Sequence, residues 1–93
     1  MSNYVPHFTK KRERLARLEQ DLLRSIHSGT PHERLLVLAD EVRHGKIRAL
    51  RAEHAHLEET PGDHSDRFTM IHQKVAALET ASPETILAEY ATG

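Results

Sequence analysis

The sequence predicts an all-α fold: an antiparallel three-helix bundle in up-down-up order, with a long central helix and a short fourth helix at the C terminus. Three observations favour this class. Apolar residues recur at three- and four-residue spacing, strand-like alternation is missing, and short turn signals separate the helical stretches. Connections this short force successive helices to lie side by side in opposite directions. The 93 residues suffice for a single helical-bundle domain, residues 1–93, with a thin core.

The first helix is predicted over residues 10–27, after an N-terminal arm of residues 1–8. From residue 8 to residue 29 the large apolar residues fall in one stripe at helical spacing, which consists of Phe8, Leu15, Leu18, Leu22, Leu23 and Ile26. Thr9 can cap the start of the helix. Gly29 can adopt the left-handed conformation that commonly follows the last helical turn.

The central helix is predicted over residues 31–59, a length of about 40 Å at about 1.5 Å per residue. Thr30 and Glu33 have the spacing of a capping box, in which each side chain accepts the other residue's backbone amide, and Pro31 suits the first helical position. The segment TPGD, residues 60–63, ends the helix. Gly45 costs up to about 1 kcal/mol relative to Ala. It either lets another helix approach closely or is a tolerated weak position.

The third helix is predicted over residues 65–80, where an apolar seam is formed by Phe68, Ile71, Val75 and Leu78. A fourth helix is predicted over residues 83–91. Ser82 is its expected N-cap and Pro83 its first residue. Proline is suited to that position because the first backbone amide of a helix has no hydrogen-bond partner within the helix.

The central helix is much longer than the third, so its apolar face exceeds what two neighbours can cover. This excess predicts a homodimer that associates through the central helix as in a coiled coil. The residues expected at that interface are Leu36, Ile47, Leu50 and Leu57.

Composition narrows the class of protein. The chain has no cysteine, so disulfides and thiolate metal sites are excluded. No apolar run is long enough to cross a membrane or resembles a signal peptide, which predicts a cytoplasmic protein without a membrane partner. The formal net charge of −1 argues against bulk electrostatic attraction to nucleic acid.

The motif Glu-x-x-His occurs twice, as Glu41/His44 and Glu53/His56, and helical bundles that bind metal ions use this spacing. On a helical wheel, Glu41 and His44 face solvent. Glu53, His56 and Lys46 instead fall inside the apolar arc. One hypothesis is a divalent-metal site at Glu53 and His56 to which His72 contributes. The alternative is that Lys46 and Glu53 reach the rim of the core or pair with charges on another helix.

The start of the first helix is basic, with Lys10, Lys11, Arg12, Arg14 and Arg17 within eight residues. This cluster could bind nucleic-acid phosphates, or it could be a solvated face that pairs with the acidic C-terminal segment. No Gly-rich phosphate loop, nucleophile motif or zinc-protease motif is present, so enzyme activity is not predicted.

These observations together favour a small non-enzymatic interaction or regulatory protein that self-associates through its central helix and can bind a protein partner. Metal binding by Glu53 and His56 and nucleic-acid binding by the basic first helix are the alternatives.

Overall fold

The structure, a computed structural model, describes residues 7–92. These residues form four helices and no strand: α1 (His7–His27), α2 (His32–Glu58), α3 (Ser65–Thr80) and α4 (Pro83–Ala91). The all-α prediction is confirmed. α1 begins three residues earlier than predicted, so residues 7 and 8 are helical; the rest of the predicted N-terminal arm, residues 1–6, lies outside the described residues. No helix within residues 7–92 has the length and apolarity needed to cross a lipid bilayer.

The end of α1 follows the predicted glycine signal. Gly29 has a φ of +76°, in the left-handed region. The Thr30 amide donates to the Ser25 carbonyl at 3.1 Å and the Gly29 amide donates to the Ile26 carbonyl at 3.3 Å. This pair of hydrogen bonds is the Schellman motif, which satisfies carbonyls left without partners at a helix end.

Two of the three predicted N-caps are wrong. Thr9 already lies inside α1. At α2 the capping residue is Pro31, with φ −54° and ψ 145°, and no side chain caps the helix. α2 therefore begins one residue later than predicted, and the Thr30 hydroxyl is hydrogen-bonded to the Ser28 hydroxyl instead. The cap of α4 is confirmed, because Ser82 Oγ accepts the Thr85 amide at 3.2 Å.

The core lies where α1, α2 and α4 meet. Its fully or almost fully buried members are Leu22, Ala39, Val42, Ile86 and Leu87. Ile71 of α3 is also buried. Although α4 has only nine residues, it supplies two members of this core. Its packing on α1 and α2 is therefore what keeps it helical, since an isolated helix of this length is unstable in water.

α2 is the central element and packs against each of the other three helices. Between α1 and α3, no pair of Cα atoms comes within 8 Å. A closed three-helix bundle would bring these two helices together, but here α4 packs against α1 and α2 instead. The result is a flat molecule of 46 × 34 × 19 Å with a radius of gyration of 15.2 Å. A compact domain of this length has about 12 Å.

Gly45 lies where α1 crosses α2. A Cβ atom at this residue would lie 3.1 Å from Leu18 Cδ1 and 3.3 Å from Leu15 Cδ1, both closer than ordinary van der Waals contact. The sequence left open whether Gly45 allows another helix to approach closely or is only a tolerated weak position, and the structure supports the close approach.

Polar contacts hold α3 against α2 at both of its ends. Arg67, in the first turn of α3, is bound to Glu53 of α2. At the other end, Arg43 of α2 donates to the Leu78 carbonyl at 3.0 Å. This carbonyl lies in the last turn of α3 and also accepts the Ala81 amide at 3.3 Å. These contacts set α3 to one side of α2 and leave a space between α3 and α1.

A candidate interaction groove along α2

The space between α1 and α3 is an open groove of about 710 Å³ with α2 as its floor. We call it the α2 groove. Its floor residues are Lys46, Ala49, Leu50, Glu53, His56 and Leu57. Its wall residues are Phe8, Arg12 and Leu15 of α1, Arg67, Lys74, Ala77 and Leu78 of α3, and Glu89 of α4. The floor extends over twelve residues of helix, from Lys46 to Leu57, or about 16 Å.

Lys46, Leu50, Glu53 and Leu57 recur every three or four residues, so they form one stripe along α2. Leu50 and Leu57 are only half-buried, so the other helices do not fully cover this stripe. The floor therefore alternates apolar and charged side chains over about three helical turns. An amphipathic helix can pack its apolar face against a stripe with this spacing.

Glu53 is bound to Arg67 by two parallel hydrogen bonds. Arg67 Nε donates to Oε2 at 2.5 Å and Arg67 Nη2 donates to Oε1 at 2.6 Å. The Glu53 side chain is 19% exposed. Arg67, through these hydrogen bonds, holds the pKa of Glu53 below its usual value against the opposing effect of burial, and the charges of Arg12 and Lys74 add to the lowering. Pairing with a charge on another helix was one of the alternatives that the sequence left open for Glu53.

Lys46 lies at the α4 end of the groove. Its Nζ is 3.9 Å from Glu89 Oε2 and 5.2 Å from the centre of the Tyr90 ring, so it contacts α4 through both charge and an aromatic face. The Tyr90 hydroxyl in turn donates to the Glu19 carboxylate of α1. Burial and this hydrogen bond raise the pKa of Tyr90 above its usual value. Lys46 and Tyr90 thus connect the groove to the packing of α4.

The three predicted metal ligands are not brought to one place. Glu53 and His56 line the α2 groove, where the His56 ring lies 4.7 Å from the Phe8 ring. His72 lines a second groove of about 410 Å³ on α3 and stacks on His54, with ring centres 5.0 Å apart. Within residues 7–92 no group of three or more His, Asp or Glu side chains could hold a metal ion. Metal binding at Glu53 and His56 stays a prediction.

Glu41 and His44, the other Glu-x-x-His pair, are exposed, as the helical wheel predicted.

The predicted interface residues differ in their surroundings. Ile47 is only 6% exposed and is already buried within the chain. Leu36 packs against the core from a half-buried position. Only Leu50 and Leu57 line the α2 groove. Among the residues that the structure describes, the exposed large apolar side chains are Leu23 and Val37, which do not line the groove.

The basic residues of α1 do not form one surface. Lys10, Arg14 and Arg17 follow helical spacing along one exposed stripe. Arg12 lies on a different side and lines the α2 groove, while Lys11 is half-buried. Nucleic-acid binding by this cluster stays a prediction, and the structure assigns Arg12 to a separate surface.

Two groove residues, Arg67 and Lys74, were not singled out from the sequence. They are seven residues apart on α3 and border its apolar seam, a spacing that places both on one side of the helix. That spacing was a usable signal for a shared surface. Their proximity to Glu53 could not be predicted, because no sequence pattern relates a side of α3 to a side of α2.

The lowered pKa of Glu53 predicts a dependence of stability on pH. Since its carboxylate is stabilised in the folded chain, its contribution is present above its unfolded pKa of about 4.3 and is lost as the pH falls through the lower folded value. When the pH is lowered from about 7 to below about 4.5, the free energy of unfolding should therefore fall less in Glu53→Gln than in the wild type. The difference between the two losses should be about 1 kcal/mol.

Urea denaturation between about pH 3 and pH 7 measures this difference. Glu41→Gln, on the exposed side of the same helix, is the matched control and should keep the wild-type pH dependence. Identical profiles for Glu53→Gln and the wild type would show that the Arg67 pair does not stabilise the fold.

Comparison of the chain with protein-family models, with curated proteins and with solved structures found no significant match.

Proposed function

We propose that this protein is a small non-enzymatic interaction protein that binds an amphipathic helix in the α2 groove. We also infer that α1, α2 and α3 lie in up-down-up order. The support for this order is that Phe8, near the start of α1, contacts His56 near the end of α2, and that Arg67, near the start of α3, is bound to Glu53.

The observation that carries the proposal is the separation of α1 from α3. Because their Cα atoms stay more than 8 Å apart, about three turns of the α2 stripe lack the cover that a closed bundle provides. Leu50 and Leu57 of this stripe are only half-buried, and a helix laid between α1 and α3 would bury both. Burial of apolar side chains at this spacing is the usual source of affinity when a groove binds a helix.

A groove of this form suits a helix better than a small molecule. Pockets for small ligands enclose most of the ligand and direct a few polar groups inward. The α2 groove is open along its length, and Glu53, its most buried charged group, is already bound to Arg67.

Self-association is a second form of the same proposal, supported by the position of Leu50 and Leu57 in the groove. Two chains could place their α2 stripes together around a two-fold axis, as in other symmetric dimers. The same substitutions test both forms.

Leu50→Asp is expected to abolish binding of a neutral synthetic helix of about 18 residues with leucines at three- and four-residue spacing. It should also shift any dimer to monomer. The physical reason is that the new carboxylate would lose its hydration beneath the bound helix, which costs several kcal/mol. Fluorescence anisotropy of the labelled peptide and sedimentation equilibrium of the protein measure the two effects.

Val37→Asp is the control, because it adds the same charge to the same helix at a residue that is 48% exposed and outside the groove. It should bind the peptide and sediment as the wild type does. Thermal unfolding by circular dichroism checks that both variants fold. A folded Leu50→Asp protein with wild-type peptide binding would contradict the proposal.

A further inference from the structure

We propose that the helix bound in the α2 groove is acidic, with carboxylates on both flanks of its apolar stripe that pair with Arg12 on one wall and Lys74 on the other. This inference rests on the proposed function and names the chemistry of the partner. It follows from which charges in the groove are already paired and which are not.

The groove is positively charged in a chain that is not. Its lining includes four cationic side chains, Arg12, Lys46, Arg67 and Lys74, and two carboxylates, Glu53 and Glu89, a net charge of +2. The whole chain carries a formal charge of −1. A local excess of this sign attracts anionic partners and repels cationic ones.

The two carboxylates already have partners. Glu53 is bound to Arg67 by two hydrogen bonds, and Glu89 lies 3.9 Å from Lys46. Arg12 and Lys74 are exposed, and neither forms an ion pair with another residue in the range 7–92. Both act on the floor of the groove from a distance, since their charges lower the pKa of Glu53. The surplus charge therefore belongs to these two residues.

The two cations lie on opposite walls, Arg12 on α1 and Lys74 on α3, with the apolar floor residues Leu50 and Leu57 between the walls. A helix that buries an apolar stripe on this floor presents its flanking positions to both walls. Glutamate at those positions can form charge-assisted hydrogen bonds with Arg12 and Lys74. Lysine there would place like charges side by side.

Charge also argues against a second copy of the chain as the main occupant, since two facing grooves would bring together surfaces of +2 each. Nucleic acid fits poorly for a different reason. Half-buried leucines occupy the floor where phosphates would lie, and only two cations remain free of carboxylate partners in the groove.

The experiment compares three synthetic helices of about 18 residues that share the leucine stripe and differ only on its flanks, which carry Glu, Lys or Gln. Binding to the full chain is measured by anisotropy at about 0.05 M and about 0.5 M NaCl. The Glu-flanked helix should bind about tenfold tighter than the Lys-flanked one at low salt, and this preference should shrink at high salt.

Charge reversal at both walls, Arg12→Glu with Lys74→Glu, should invert the preference. The control is Lys10→Glu with Arg14→Glu, the same change in charge at two exposed α1 residues outside the groove, and it should keep the wild-type preference. The milder pair Arg12→Gln and Lys74→Gln should remove the preference without inverting it, and serves if the reversed variant does not fold.

The outcomes separate the two proposals. Binding of the Gln-flanked helix without any preference for Glu over Lys would overturn the acidic partner and leave the proposed function standing. Failure of all three helices to bind would overturn the acidic partner and the helix-binding form of the proposed function, whether or not the chain forms a dimer. An equal loss of preference in the Lys10/Arg14 control would show that overall charge, not Arg12 and Lys74, selects the partner, and would also overturn the inference.

Discussion

Replacing Leu22 by Ala is expected to lower the free energy of unfolding by about 3 to 4 kcal/mol. Leu22 is 0% exposed and packs with Ala39, Val42 and Ile86, so its loss leaves a cavity shared by three helices. In a domain of this size such a loss lowers the Tm by more than about 10 °C. Urea denaturation followed by circular dichroism measures it.

Leu23→Ala is the matched control. It is the same substitution at the next residue, but Leu23 is 37% exposed and is not among the residues that pack against the core. Its truncation should cost about 1 kcal/mol or less. Equal losses for the two variants would mean that α1 does not present Leu22 to α2 and α4 as described.

Ile86→Asp is expected to detach α4 from the rest of the protein. Ile86 is 1% exposed, and a carboxylate there would be buried without a partner at a cost of several kcal/mol. Once detached, the nine-residue α4 cannot remain helical, because so short a helix is unstable alone. The amides of residues 84–91 should then exchange hydrogen rapidly, which mass spectrometry of peptides covering this segment detects.

Ala88→Asp adds the same charge to the same helix at an exposed residue. It should leave the exchange protection of α4 close to that of the wild type. Protection that survives in Ile86→Asp would indicate that α4 is held by other contacts, such as those of Tyr90 and Lys46, rather than by its apolar packing.

The helices could be predicted because the signals for them are local. Three- and four-residue spacing, Gly29 and the Ser82–Pro83 pair act within a few residues of one another, and residues 65–80 and 83–91 are the observed ranges of α3 and α4. The capping box at Thr30 was wrong although its spacing was correct. Pro31 adopts an extended ψ and becomes the cap itself, and nothing in the four-residue motif distinguishes these two outcomes.

The contribution of α2 to the groove was also predictable. The helical wheel placed Lys46, Glu53 and His56 inside the apolar arc of α2, and all three line the groove. The wheel did not indicate Arg67 as the partner of Glu53, nor the placement of Lys74 opposite Arg12. The wheel of α2 also carried no information on His72, which lines the other groove.

The sequence alone determined the helices and the side of α2 that is apolar, because the energies responsible act between neighbours along the chain. Only the tertiary structure decided that α1 and α3 stay apart and that α4 packs with α1 and α2 in the core. That choice depends on how Leu22, Val42, Ile86 and Leu87 fill one shared volume. Such packing is a property of residues far apart in sequence, and periodicity carries no information about it.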